Sequence, residues 1–364
     1  MTARCTDQEN MKSIRLSGNP RILVTRTDRI GDLVLTTPVL KALRGRFPKA
    51  WIAALVFIEH RDIVRGNPYI DEVILYDKKG SEKTIWGQIL FAGTLRKKRF
   101  DLAVHCHATN RVHLAALLAG IPVRIGYDRR SPWALTHVHP YDKKLGQRHE
   151  AEYLFDLLEP LGISMPARLE TFVPVTERSR DSLRNLLFHL RVPNDMPWIV
   201  LSPAASDVTK MWPAEKFAEL AAKLGREMKC VFLAIGSEAD RPVVESLREK
   251  SPVPVIDLGG RLTLGMLGVL LKRSRLLVSN DSGPVHIASA VGCPVVSIFG
   301  RYEAGLGPNR WKPIGRACRI VAKDVSGVPE PERKFTYIDQ ITVQEVCSAA
   351  RDLLEETGRE GIKT

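Results

Sequence analysis

Short apolar, β-branched runs alternate with longer helical patterns along most of this chain, and the alternation runs twice. The first series places strands at 21–25, Trp51–Phe57, 101–105 and 123–126, with helical stretches such as 32–46 and Asn110–Leu118 between them. Strands that read as continuous apolar runs, each followed by a helix, demand a parallel sheet covered on both faces. The pattern breaks at 166–197, where prolines frame a strand-like TFVPV and a helix of mixed charge. It then restarts with strands at 198–201, 231–235, 255–258, 276–279 and Val295–Phe299. The expected fold class is therefore α/β, with two doubly wound halves over 1–170 and 196–341 and a linker region at 171–195. A chain of 364 residues suits two such cores better than one. Ligands of these sheets bind at the carboxyl ends of the strands, so a cleft between the halves is the expected site. A last helix, 342–356, is expected to pack back on the first half.

Charge narrows the partners without choosing among them. The formal net charge is +13, and residues 1–160 carry 26 Lys and Arg against 17 Asp and Glu, so most of the positive field lies in the first half. Such a field attracts nucleic acid, a phosphorylated lipid or an anionic membrane surface. Nucleic acid is disfavoured, because the sequence shows neither a recognised binding module nor aromatics interleaved with the basic residues. Six cysteines, from Cys5 to Cys347, are scattered with no CxxC, as in a reducing compartment. No segment approaches the roughly 20 apolar residues of a membrane span, and the start, MTARCTDQENMKS, lacks the apolar core of a signal peptide. The expectation is a cytoplasmic protein, at most peripheral on the membrane. The stretch TIWGQILFAGTLRKKR would then form an amphipathic helix whose cationic end rests on anionic lipid.

Three segments carry chemistry. In the first, 276–300, a strand meets a tight polar loop, a helix and another strand. Ser282 is placed to cap, Gly283 allows close backbone approach, Pro284 fits the start of a helix, and His286 follows two residues on. A helix amino end beside small residues accepts an anion such as a pyrophosphate; the plain alternative is an ordinary capped βα turn. In the second, 199–220, a strand ends in the small residues 203–206, and Lys210 and Trp212 precede a helix started by Pro213. A lysine there neutralises charge on a departing diphosphate, or is simply a solvated loop charge. In the third, 21–50, Gly31 and Asp32 lie where the first strand gives way to the first helix. A carboxylate at that point is suited to general-base work, although an acid in a first helical turn also simply complements the dipole.

The combination TRTDRIGDLVLTTPVLKALR, SPAASDVTKMWPAEKF and SNDSGPVHIASAVGCPVVSIFG resembles glycosyltransferase family 9, the bacterial ADP-heptose:lipopolysaccharide heptosyltransferases, over about residues 20 to 310. The resemblance implies two Rossmann-like domains in the GT-B fold, the first binding acceptor and the second nucleotide sugar. It implies Asp32 as catalytic base of an inverting transfer, with Ser206 and Lys210 at donor phosphate. It places Asp281, Ser282, Gly283 and His286 at the nucleotide diphosphate, Glu238 at the nucleoside and Leu262 beside adenine. The implied donor is ADP-heptose and the implied acceptor an anionic glycolipid, the lipopolysaccharide inner core. No metal is implied as an obligatory cofactor, and the sequence offers no DxD pair to hold one.

The chain departs from the family after the fourth strand. Where many members have an acidic residue and a glutamine, it reads HCHATNR, placing His105, His107 and Arg111 toward the acceptor. The basic residues Lys78, Lys79, Arg129 and Arg130 are further candidates for acceptor carboxylates or phosphates. A metal reading would use His105 and His107 on one strand face, without a third ligand at a recognised spacing. A dehydrogenase would need GxGxxG after the first strand, and that position reads TRTDRIGD; the lone GxG, at Gly305 and Gly307, runs into Pro308.

Overall fold

A computed structural model describes residues 13–16, 18–325, 327–328 and 337–360; Cys5 and the first twelve residues of the polar leader lie outside it. The described residues form two compact units, one built from residues up to 143 together with 150–169, the other from 144–149 and residues from 170 onward.

In the first unit the chain runs through β1 (Arg21–Arg26), α1 (Ile30–Arg46), β2 (Trp51–Phe57), the short α2 (Arg61–Val64), β3 (Glu72–Tyr76), α3 (Ile85–Lys97), β4 (Leu102–His105), α4 (Asn110–Leu118), β5 (Val123–Tyr127), β6 (His137–His139) and α5 (Glu150–Asp156). The described strands pair in parallel in the order β3-β2-β1-β4-β5-β6, with Leu23 of β1 opposite both Ala53 and Ala103. Alternate residues of β1 feed two separate cores, Ile22 and Val24 on the face under α1 and α5, and Leu23 on the face under α3 and α4. Burial on both faces is what makes the central strands apolar throughout. Pro38 lies inside α1, where its missing N–H orphans the carbonyl four residues back; the Thr37 hydroxyl donates to that Val34 carbonyl at 2.7 Å, and the helix continues.

The second unit follows with α6 (Glu177–His189), β7 (Trp198–Ser202), α7 (Ala214–Glu227), β8 (Val231–Ala234), α8 (Arg241–Lys250), β9 (Val255–Asp257), α9 (Leu264–Arg273), β10 (Leu276–Asn280), α10 (Gly283–Val291), β11 (Val295–Phe299), α11 (Pro308–Trp311), β12 (Cys318–Ala322) and α12 (Val343–Glu360). Its sheet order, β12-β11-β10-β7-β8-β9, repeats that of the first unit when strands are counted from β7. In each sheet the order reverses beside the first strand, between β1 and β4 and between β7 and β10. At such a switch point neighbouring loops leave in opposite directions and open a crevice.

Two expectations are corrected. The segment 171–175 joins no sheet, since Pro174 has no N–H for a ladder; Val173 is instead buried. The last helix packs within the second unit rather than on the first. Val346, Cys347, Ala350 and Leu353 of α12 join the core formed by Trp212, Phe217, Val296 and Ile298. Their spacing gives α12 one apolar stripe, and β11, β12 and α7 supply the surface that buries it.

Candidate active site

In the first unit, Asp32 occupies the first turn of α1, immediately past the carboxyl end of β1. It is 8% exposed and does not stand alone. Arg26, the last residue of β1, reaches the same place with its side chain buried, and its guanidinium collects three carboxylates. Asp28 Oδ1 accepts from its Nε at 2.8 Å, Glu150 Oε1 accepts from Nη1 at 3.1 Å, and Asp32 Oδ1 accepts from Nη2. The Cys106 carbonyl, past the end of β4, accepts from Nη1 at 3.1 Å. Lys143 Nζ donates to the same Glu150 oxygen at 2.7 Å and lies 4.3 Å from the centre of the Tyr127 ring.

This arrangement sets the proton affinity of Asp32. Burial, helped by the charges of Asp28 and Glu150, lifts its carboxyl from the ordinary 3.8 to about 7, against the opposing pull of Arg26 and Lys143. A carboxylate near neutrality accepts a proton far better than an ordinary surface aspartate while remaining substantially ionised at pH 7. The dipole explanation alone does not account for three carboxylates held on one buried cation. That cation is a guanidinium, and among the described residues no group of three or more His, Cys, Asp and Glu is placed to hold a metal ion.

All but one of the candidate acceptor residues follow strand carboxyl ends of this same sheet. Lys78 and Lys79 sit in an exposed turn after β3 that is held by Asp77, whose Oδ1 accepts from the Gly80 amide at 2.7 Å. His107 lies in the loop after β4, and burial lowers its imidazole to about 4, so it is a neutral hydrogen-bonding group at pH 7. Arg111 is exposed in the first turn of α4. Arg129 and Arg130 follow β5; Arg129 donates to the Tyr141 hydroxyl at 2.7 Å and stacks on that ring, while Arg130 takes a left-handed φ of 59°.

His105 is the exception. As the last residue of β4 it is fully buried, with Nδ1 and Thr25 Oγ1 sharing a hydrogen bond at 3.0 Å and its ring 4.7 Å from that of His113. Burial holds its pKa well below the ordinary value, so it is a neutral core residue. His107 lies beyond the end of the strand, and the pair therefore does not share a strand face as the metal reading required.

In the second unit the loops after β7 and β10 meet at the switch point. Lys210 forms an ion pair with Asp281, and both side chains are largely buried. Asn280, the last residue of β10, ties the two loops: its Oδ1 accepts from the Trp212 amide at 3.0 Å and its Nδ2 donates to the Pro203 carbonyl at 2.6 Å. Trp212 is buried, its indole donating to the Ile341 carbonyl at 2.9 Å. Ser206 lies in the loop held this way, ahead of a 208–210 turn capped by Asp207. Asp207 in turn accepts from Arg301 at 3.0 Å.

Ser282 is the residue before α10, but it makes no side-chain cap; its hydroxyl meets that of Ser279 at 3.1 Å. The first-turn amides of α10 thus present a helix amino end flanked by Gly283 and Lys210. His286, one turn in, is buried; burial first, then the fields of His149 and Lys210, lower its imidazole to about 3. It is uncharged at any physiological pH.

Glu238 follows β8 and Leu262 follows β9, on the side of the sheet away from β10. Their loops touch: Gly260, at φ 70°, faces Glu238 so closely that an added Cβ would lie 2.1 Å from its carboxylate. The carboxyl edge therefore reads Leu262, Glu238, then Ser206 and Lys210, then 281–286, in the strand order β9-β8-β7-β10. Three strand spacings, about 14 Å, separate the ends of that row. The lone GxG has another use: at φ 78°, Gly305 lies against Gly146, where an added Cβ would meet its amide nitrogen at 2.3 Å.

Arg26, Glu150, Lys143 and Asn280 were not singled out by sequence. A charged residue directly after the buried run ILVT is itself a sign of a buried partner, and Arg26 was open to that reading. Glu150 lies 124 residues from Arg26, a separation no spacing rule reports.

Comparison with known proteins matches this frame. The model of "Glycosyltransferase family 9 (heptosyltransferase)" aligns with residues 90–337. The chain belongs to glycosyltransferase family 9. Among curated relatives, lipopolysaccharide heptosyltransferase 3 of Escherichia coli (strain K12) is 28% identical over 342 residues, 90% of this chain and 96% of that protein. Among solved structures, a family 9 glycosyltransferase from Veillonella parvula DSM 2008 superposes with a TM-score of 0.84 at 26% identity, covering 95% of this chain and 100% of that one. The E. coli ADP-heptose lipopolysaccharide heptosyltransferase II superposes at 0.78 with 23% identity, covering 93% and 99%, a likeness of fold. The protein is thus a glycosyltransferase with two Rossmann-like domains, the GT-B class.

Proposed function

We propose that this family 9 enzyme transfers heptose from ADP-heptose to the lipopolysaccharide inner core with inversion at the anomeric carbon. Asp32 accepts the proton of the acceptor hydroxyl as that oxygen bonds to the anomeric carbon. The bond from that carbon to the diphosphate oxygen breaks in the same step, and its electron pair leaves with ADP. Lys210 and the amino end of α10 stabilise the diphosphate, the role electrostatic preorganisation plays at a developing charge. Because these groups are the protein's own, turnover is expected to persist in excess chelator. Leu262, Glu238 and Lys210 lie in the order in which adenine, ribose and phosphate follow one another in ADP, which supports a nucleotide lying along that edge. Lys78, Lys79, Arg111, Arg129 and Arg130, with neutral His107, grip an anionic acceptor.

The observation that carries this reading is the buried Asp32, raised to about 7 and held by Arg26 at the carboxyl end of β1. The test is transfer from ADP-heptose to heptose-deficient lipopolysaccharide, with the anomeric configuration of the product read by NMR. A product of inverted configuration is expected, whereas retention would remove the single-displacement mechanism. The departure HCHATNR favours, as a second reading, a family 9 enzyme with a non-core polysaccharide or protein as acceptor, and another nucleotide sugar as donor is the matching alternative on the donor side. Calorimetry against a panel of nucleoside diphosphates separates the donor classes: ADP binding tightest supports ADP-heptose, and preference for another base supports the alternative.

A further inference from the structure

Helix α3 turns two unlike faces outward and inward. Phe91, Ala92 and Leu95 are buried in the core of the first unit. On the opposite face, Ile85 is 79% exposed, Trp86 75%, Ile89 45% and Leu90 72%, all within the first two turns. Their positions, i, i+1, i+4 and i+5, make one continuous apolar surface. Along the same outer face the last turn changes to Arg96 and Lys97. Surface helices normally place solvated residues there, so four large apolar side chains side by side mark a face that meets something.

The local structure holds this face in place. Thr84 caps α3, its hydroxyl accepting from the Gly87 amide at 3.0 Å. The 81–83 turn packs against the first helical turn so closely that a Cβ on Gly87 would lie 1.8 Å from the Ser81 carbonyl. The patch is therefore anchored at its amino end by the turn and along its length by the core beneath.

Charge identifies the occupant. Residues 77–99 hold seven Lys and Arg against Asp77 and Glu82 alone. Both acids are turned into the loop: Asp77 accepts from the Lys79 and Gly80 amides, and Glu82 accepts from the Asp77 amide at 2.7 Å. Lys98 pairs with Glu72, which leaves the exposed Lys83 just ahead of α3 and the exposed Arg96, Lys97 and Arg99 at its carboxyl end, at the two ends of the apolar strip along the chain. A second copy packed symmetrically on this face would set these cations against one another. An anionic bilayer instead takes both parts, with Trp86 and its apolar neighbours entering the headgroup boundary and the cations meeting lipid phosphate. Among the described residues no helix is long and apolar enough to cross a membrane, so such contact would lie in the interface plane.

The geometry points to the outer face of α3 as a docking surface for an anionic phospholipid bilayer. This goes beyond the proposed transfer and does not depend on it, because the surface is tested with vesicles that contain neither glycolipid nor sugar nucleotide. Flotation of the full chain with phosphatidylethanolamine/phosphatidylglycerol vesicles is expected to show binding at least about tenfold stronger than to phosphatidylcholine vesicles, falling as salt rises. Trp86→Ser combined with Leu90→Gln removes exposed side chains only and is expected to weaken that binding by at least about tenfold with the thermal midpoint unchanged. Arg96→Glu with Lys97→Glu, which leaves the apolar strip intact, is expected to weaken it too and to flatten the salt dependence. Binding by the Trp86/Leu90 variant equal to that of the parent overturns the proposal. So do equal binding to both vesicle types, no binding by the parent, or sedimentation showing a dimer that the Trp86/Leu90 variant dissolves, which would assign the face to a second copy.

Discussion

The two switch points share one topology and hold opposite chemistry. Beside β1 and β4, a buried arginine binds Asp28, Asp32 and Glu150, and burial, helped by the neighbouring carboxylates, raises the proton affinity of Asp32. Beside β7 and β10, a lysine faces a helix amino end through a loop of small residues and forms an ion pair with the neighbouring Asp281. The first arrangement suits proton transfer, and the second suits an anion. The same strand order serves both because the crevice comes from topology, whereas its chemistry comes from a few residues in the loops that leave it.

The largest effect expected from breaking this contrast lies at Arg26. Arg26→Met leaves its carboxylates without their shared cation and should cost about 3–5 kcal/mol of stability at pH 8, as removal of one member of a buried ionic cluster generally does. Chemical denaturation at that pH measures it, and a loss under about 1 kcal/mol would mean that the cluster is solvated. Lys210→Ala comes next. Loss of a charge aimed at the leaving diphosphate should lower kcat by about 10²–10³-fold, roughly 3–4 kcal/mol, and steady-state kinetics should show no matching change in the Asp32-dependent pH limb.

Asp28→Asn sharpens the comparison with a smaller effect. The Asp28 charge raises the Asp32 pKa, so its removal should move the acid limb of kcat/KM, expected near pH 7, to lower pH. Movement upward would contradict the assignment. A stability test has a definite sign as well. The Asp32 carboxyl is higher in the folded chain than its ordinary 3.8, so folding favours its protonated form, and that contribution is lost as pH climbs toward about 7. The stability difference between Asp32→Asn and the parent should therefore move in favour of the variant between pH 4 and pH 8.

The central strands were legible because burial on both faces writes them as apolar runs, as in RILVTR and WIVLS. β3, β6 and β12 were missed for the converse reason. They lie at sheet edges, and EVILY, HVH and CRIVA mix polar residues into short stretches. The α12 stripe was readable as an apolar face, but a stripe does not say which core it meets. At the sites, Asp32, Lys210 and the 281–286 loop were picked out by the order of three segments together, since each alone also fits a dipole-favoured acid, a solvated loop charge or an ordinary capped turn. The partners that give Asp32 its chemistry are not local: Glu150 and Lys143 reach it only through the fold. His105 shows the opposite failure, a chemically suggestive residue that the sheet places in the core.

The division of labour between the two units is tested most directly by measuring turnover and ADP affinity together in Asp32→Asn. Loss of the base should lower turnover by at least about a hundredfold, while calorimetry finds the dissociation constant of ADP unchanged. Turnover equal to that of the parent would remove Asp32 from the chemistry, and a parallel loss of ADP binding would show that the two switch points do not act separately.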